Sequence, residues 1–221
     1  IPNRVSQIGK RAFSYCKKLE KAVLSSNTKL LDKEAFSGSS IEQITIPSAI
    51  VSFEEGWCKE TQNLITIKLI QNDTKNIFYF NDKMVFGKSN QKSDIFDVLI
   101  FARRDIESVT IPPFIKKISS YAFDRCKKLE KVVFSDDSQL LSIDKHAFSN
   151  SSITEISIPF RVEKIGEGAF DSCNQLEIIE FSEDSELKII DKNAFIRSSL
   201  NCVSIPSSVE KIEEGSFSFC V

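Results

Sequence analysis

The sequence predicts an α/β solenoid: short coils stacked so that a curved parallel sheet forms one wall and short helical or 3₁₀ turns the other, with a small antiparallel β insertion. Three observations carry this. The 221 residues include 18 Phe but one Trp, one Met and one His, so one packing position is used again and again. Ile-Pro recurs at Ile1, Ile46, Ile111, Ile158 and Ile205, with gaps of 45, 65, 47 and 47. A small residue followed by an aromatic recurs at Phe13, Phe36, Trp57, Phe123, Phe148, Phe170, Phe195 and Phe217, spaced 25, 22, 25 and 22 over the second half. The coil is therefore about 23 residues long, in two alternating versions.

Each coil carries a strand of the form L-x-x-L-x-L. The eight copies are LEKAVL at 19–24, IEQITI at 41–46, LITIKL at 64–69, IESVTI at 106–111, LEKVVF at 129–134, ITEISI at 153–158, LEIIEF at 176–181 and LNCVSI at 200–205. Apolar residues at positions four and six, with mostly polar or small ones at three and five, give the alternation of a half-buried strand. Pro47, Pro112, Pro159 and Pro206 follow such strands. Proline lacks an N–H, cannot extend a ladder, and so ends each strand. The connecting string V-x-x-I-G-x-x-A-F-x-x-C, as at 162–173, has apolar spacings of three and four, which suit a helical or 3₁₀ turn. One coil cannot bury its own apolar side, but stacked coils share a core, with each aromatic above that of the previous coil. These are the features of a leucine-rich-repeat solenoid. Residues 1–221 read as a single one, with both ends inside a unit, as expected of a fragment of a longer array.

Residues 158–176, IPFRVEKIGEGAFDSCNQL, follow I-P-x-x-V-x-x-I-G-x-x-A-F-x-x-C-x-x-L, and full or near-full copies start at Ile1, Ile111, Ile158 and Ile205. This string resembles the BspA-like family of leucine-rich repeats, found on surface and secreted proteins of mucosal bacteria and parasitic protists. Departures cluster at 48–105, where SAIVSFEEGW replaces the usual valine-to-glycine string and Trp57 stands where Phe is expected. The long Ile-Pro gap places extra chain at 71–105. There IFYF, MVF and DVLIF read as short strands separated by Asn81-Asp82 and Gly87-Lys88-Ser89-Asn90. The expectation is a hairpin-like antiparallel unit replacing the convex turn of one coil, as inserts between repeats of this family do. A dedicated ligand loop is the other reading.

Little chemistry is on offer. A formal net charge of −2 removes the electrostatic case for nucleic acid or an anionic membrane surface. No apolar run is long enough to span a bilayer. G-x-S-x-G, Walker A, dinucleotide and H-E-x-x-H motifs are absent, so no enzyme, no cofactor and no metal site is expected. His146, in DKHAF, aligns with Glu34 and Asn193 and reads as part of a solvated turn. Cys16, Cys126, Cys173 and Cys220 each follow the repeat aromatic by three residues, hence at one core-facing site. On every second coil such sites lie about 10 Å apart, beyond disulfide reach, so buried free thiols are expected. Cys58 and Cys202 lie off that column, and Cys202 is the candidate for an exposed reactive thiol. Asp136-Asp137 and Glu183-Asp184 read as solvated turns. Asn72-Asp73-Thr74 and Asn150-Ser151-Ser152 are glycosylation sequons, relevant only to a secreted protein.

The remaining candidate is a binding surface. Positions three and five of each strand form a solvent-facing grid on the concave side. The expected ligand-binding residues are Lys21, Gln43, Thr45, Thr66, Lys68, Ser108, Thr110, Lys131, Glu155, Ser157, Glu180 and Ser204, interspersed with Val23, Val133, Ile178 and Cys202. The grid is mixed, which suits modest multivalent contact rather than one tight site. The family resemblance implies a cell-surface or secreted module whose partner is a protein: a host extracellular-matrix or plasma protein, or another cell surface. A stalk or spacer with no ligand of its own is the alternative. Coils cut in mid-unit expose core, so end-to-end self-association is also expected.

Overall fold

The computed structural model describes residues 1–71, 73 and 75–220. Coil by coil, β1 (Gln7–Ile8) leads to β2 (Lys21–Val23), β3 (Leu30–Leu31) to β4 (Gln43–Pro47), and β5 (Ser52–Phe53) to β6 (Thr66–Ile70). Then come β7 (Ile77–Phe80), β8 (Met84–Gly87) and β9 (Val98–Ala102), the last leading to β10 (Ser108–Ile111). Regular order resumes with β11 (Lys117–Ile118) and β12 (Lys131–Phe134), β13 (Ser142–Ile143) and β14 (Glu155–Ile158), β15 (Lys164–Ile165) and β16 (Ile178–Phe181), then β17 (Ile189–Ile190) and β18 (Lys211–Ile212).

The longer strands make the first wall, with every pairing parallel, but in two sheets: β2-β4-β6 and β10-β12-β14-β16. The eighth expected strand, 200–205, is not one. Cys202 and Ser204 are exposed there and Ile205 is 37% exposed, against 3% for its equivalent Ile158. Among the described strands that rung has a neighbour on one side alone, too little to hold so polar a segment in a ladder. Two-residue strands, joined by the longer inserted β7, β8 and β9, make a second wall: β1-β3-β5, and the run β18-β17-β15-β13-β11-β9-β8-β7. Within residues 71–105, β7 pairs antiparallel with β8 and β8 with β9, while β9 joins the solenoid by pairing parallel with β11.

The third wall corrects the expected helical turns. Among the described residues there is no helix, α or 3₁₀, so the class is β rather than α/β. N–H groups there alternate in target. Ala12, Ser14 and Cys16 donate locally to the carbonyls of Gly9, Arg11 and Phe13. The intervening Arg11, Phe13 and Tyr15 donate to Lys33, Ala35 and Ser37 of the next coil. A helix would spend all these donors inside one coil. The staircase instead spends half of them between coils, and it needs a left-handed residue at every fourth place: Arg11 and Tyr15, Glu34 and Gly38, Gly56 and Glu60, Tyr121 and Arg125, His146 and Asn150.

The ring column follows from this stacking. Phe123, Phe148, Phe170, Phe195 and Phe217 stack at centroid spacings of 4.8–5.2 Å with planes within 7°, and Phe13 stacks on Phe36 at 5.0 Å. Trp57 is not in the column. The ring residue donates to the small residue before the next ring, as Phe13 does to Ala35, Phe123 to Ala147 and Phe195 to Ser216. Phe36 donates to Trp57, so Trp57 has the alanine's place and Cys58 the ring's. His146 also departs from the solvated reading: it stacks on Tyr121 at 5.2 Å, and its side chain is 22% exposed.

The core is in two parts. The smaller holds Leu31, Phe36, Ile44 and Trp57, and the larger runs from Met84 to Phe195. The inserted strands divide them. Val85, Phe101 and Ile77 belong to the smaller part, and Met84, Phe86, Leu99 and Ala102 to the larger. Both faces of β8 are thus buried, as in a sheet covered on either side. The coil of β9 and β10 has no turn wall, and Arg104 occupies its place. Arg104 is 3% exposed and donates through Nη1 to Ala122 O at 2.8 Å and through Nη2 to Tyr121 O at 3.1 Å. It also touches Cys58 Sγ at 3.6 Å and Cys126 Sγ at 3.8 Å, and lies 4.5 Å from the Phe101 ring centroid. Across the same gap the buried Asp124 carboxylate accepts the Glu60 N–H at 2.7 Å, where other coils offer a backbone carbonyl.

Candidate functional site

The first-wall strands bury positions four and six and turn three and five outward, because successive side chains of a strand point to opposite faces. Ala22, Ile44, Ile67, Val109, Val132, Ile156 and Ile179 are all buried, while Lys21, Lys68, Ser108, Thr110, Lys131, Glu155, Ser157 and Glu180 are exposed and Gln43, Thr45 and Thr66 half-buried. Register aligns them. Lys21, Gln43 and Thr66 form one row, and Val23, Thr45 and Lys68 the next. In the second sheet Ser108, Lys131, Glu155 and Ile178 form a row; beside it Thr110 neighbours Val133, and Ser157 neighbours Glu180.

The twelve expected residues are therefore brought together only in part. Lys21, Gln43, Thr45, Thr66 and Lys68 share one patch, and Ser108, Thr110, Lys131, Glu155, Ser157 and Glu180 a second. Ser204 stands on the segment that is not a strand and is in neither sheet. The patches differ in charge. The first carries Lys21 and Lys68 with no acid at these positions, and the second sets Glu155 and Glu180 against Lys131.

The second patch is not flat. A hollow of about 270 Å³ lies over β12, β14 and β16, between Lys131, Val133, Glu155, Ser157, Ile178 and Glu180. It adjoins a second of about 410 Å³ lined by Phe134, Asp136, Ser157, Phe160, Glu180 and Phe181, among others. Val133 is 37% and Ile178 47% exposed at the mouth of the first. Ser157 Oγ donates to Glu180 Oε2 at 2.7 Å and so holds that carboxylate at the boundary between them. Sequence reasoning passed over Phe134, Phe160 and Phe181. The signal was present: Phe stands at position six in LEKVVF and LEIIEF, where the other copies have Leu or Ile, and Phe160 directly follows Pro159.

Elsewhere three of the six thiols, Cys58, Cys126 and Cys173, are buried, while Cys16 and Cys220 are half-buried. All six cysteines are free. Burial pushes the Cys58 thiol up to about 12, Cys126 to about 11 and Cys173 to about 12, so none is a thiolate near neutral pH. Cys202 alone is exposed. Among the described residues no group of three or more His, Cys, Asp or Glu could hold a metal ion, and no helix is long and apolar enough to cross a membrane. Asn150 is half-buried with Nδ2 bonded to Ser149 Oγ, and Asn72 lies outside the described residues.

The family model described as BspA type leucine rich repeat region, in 6 copies, matches residues 1–93 and 94–221. A search of the curated proteins found no match. Among solved structures, a leucine-rich repeat protein from Eubacterium ventriosum is similar at 20% identity with a TM-score of 0.74, over 98% of this chain and 68% of that one. A leucine rich cell surface protein from Faecalibacterium prausnitzii is similar at 24% identity with a TM-score of 0.69, over 100% of this chain and 56% of that one.

Proposed function

The chain belongs to the BspA-type leucine-rich repeat family, and from that premise we propose that it is a non-catalytic, protein-binding module of a cell-surface or secreted protein, adhering to host matrix or plasma proteins or to another cell. The observation that carries the reading is the face just described: eleven polar residues of the first wall turned outward in two register-aligned patches. The strands are anchored by buried inward residues such as Ile44, Ile46, Ile111 and Ile156, so the face loses little freedom on binding. Its mixed composition favours modest contacts repeated along an array, with avidity supplying the strength. The F. prausnitzii relative bears the words cell surface protein, which supports a location outside the cell.

The test is retention of fibronectin or epithelial cells by the immobilised chain, against a variant with the outward residues of both patches permuted and the buried ones kept. Retention lost in the permuted protein is the expected result. Equal retention by both would remove the reading and leave the coils as a spacer.

A further inference from the structure

Resting on that reading, we infer that the paired hollows over β12–β16 take a cationic, apolar-bearing extended segment of a partner protein, with a Lys or Arg side chain in the larger hollow. Three observations converge. The larger hollow is ringed by Phe134, Phe160 and Phe181 and carries two carboxylates, Asp136 and Glu180, with no Lys or Arg in its lining. Aromatic faces and carboxylates together are what a guanidinium or ammonium group seeks, since the ring quadrupole and the anion both attract it. The guanidinium of Arg161 already lies 5.2 Å from the centroid of Phe160, so Phe134 and Phe181 with the two carboxylates are what remain for a partner's cation.

The second observation is vacancy of charge. Glu155 sits beside Lys131 in register, yet among the described residues the two form no ion pair, and Glu180 has only the Ser157 hydroxyl. Two carboxylates on this face are therefore free to meet an incoming cation. The third is apolar. Val133 and Ile178 stand exposed in the smaller hollow, at strand positions that are polar on most other rungs. Alternate side chains of an extended segment share a face about 6.6 Å apart, so a segment crossing the rungs can seat an apolar side chain on Val133 and Ile178 while a basic one two residues along enters the aromatic hollow. The first patch, with Lys21 and Lys68, would repel the same segment, so binding is confined to the second.

The test uses the peptide Lys-Ser-Leu-Ser-Lys-Ser-Leu, which puts Lys and Leu on one face, and its counterpart with Glu for Lys, each carrying a fluorophore, titrated by polarisation against three proteins. These are the full chain, a variant with Glu180→Gln and Asp136→Asn, and a variant with Lys21→Gln and Lys68→Gln. The basic peptide should bind the full chain at least about tenfold tighter than the acidic one. It should weaken by about fivefold or more in the first variant, with a reduced salt dependence, and keep its affinity in the second. Equal binding of both peptides, no binding of the basic one, or undiminished binding in the carboxamide variant would overturn the assignment. Loss confined to the Lys21/Lys68 variant would also overturn it while leaving the broader binding face standing, because retention of matrix protein or cells reports on that face separately.

Discussion

At the scale of single residues, the ring column and the thiols beside it give the sharpest expectations. Phe170 is fully buried, with a parallel ring about 5 Å away on either side. Phe170→Ala should cost about 3–5 kcal/mol, because neighbours held by two ladders and a turn wall cannot collapse into the space. Urea denaturation reads this, and a loss under about 1 kcal/mol would show that the column bears little of the stability. Gly168 is a second such place. Its φ of +57° is shared by non-glycine residues in other coils, so the left-handed turn alone does not require glycine. The His146 ring does, since a Cβ there would lie 2.4 Å from Cε1. Gly168→Ala should destabilise by about 1–3 kcal/mol through overpacking, and His146→Ala should relieve it in the double variant. For the thiols, titration of the native protein with a maleimide should label Cys202 first, with Cys58, Cys126 and Cys173 silent until unfolding.

Among elements, the place where two sheets fail to join is the most informative. Arg104 donates to Tyr121 O and Ala122 O across the coil that lacks a turn wall, and Asp124 does the reverse service for Glu60 N–H. Arg104→Met keeps much of the volume but removes one charged donor each from Tyr121 O and Ala122 O, which retain the Asp124 and Ala102 N–H groups, at about 1–3 kcal/mol in all. Hydrogen exchange should accelerate at Glu60 and across 121–124 while 165–195 stays protected; uniform acceleration would mean the seam is not a local joint. The sequence made the strands plain, since period-two alternation and the closing prolines are written into LEKVVF and ITEISI. It hid this joint, because one arginine in FARRD looks like any loop cation until the fold surrounds it. It also misdirected the turn wall. Apolar spacings of three and four arise equally from a helix and from a staircase of turns, and residues such as Tyr121 and His146 at positive φ carry no mark in the sequence. The Trp57 misplacement has the same root: the aromatic was visible, but the one-residue shift that seats Cys58 under the rings is set by hydrogen bonds between coils.

For the whole molecule, stability should fall on acidification. Glu34 is held below the usual carboxylate range by its hydrogen bond from Arg11. Burial pushes Asp105 and Asp191 up, but Arg103 and Lys164 outweigh it and bring both below that range. Each depressed carboxylate stabilises the fold above its unfolded pKa of about 4 and loses that contribution as the pH drops through its folded value. His146 acts in the same direction from about pH 6.5 downward: burial lowers its pKa, so the unfolded chain takes up the proton first. Asp124 opposes them, because burial raises its pKa and protonation relieves the cost of its charge. The thermal midpoint should therefore decline between about pH 6 and pH 3, and a flat profile would contradict these assignments.

One column has a consequence for how such a chain can grow. Beside the rings, thiol and hydroxyl residues take turns: Cys126, Ser151, Cys173, Ser198 and Cys220, with Ser151 Oγ 3.4 Å from Cys173 Sγ and Ser198 Oγ 3.2 Å from Cys220 Sγ. Duplication or deletion of an even number of coils preserves that order. An odd step would seat two sulfurs on adjoining rungs, about 5 Å apart and within bridging range, so an array lengthened by one coil would gain a cross-link wherever thiols are oxidised.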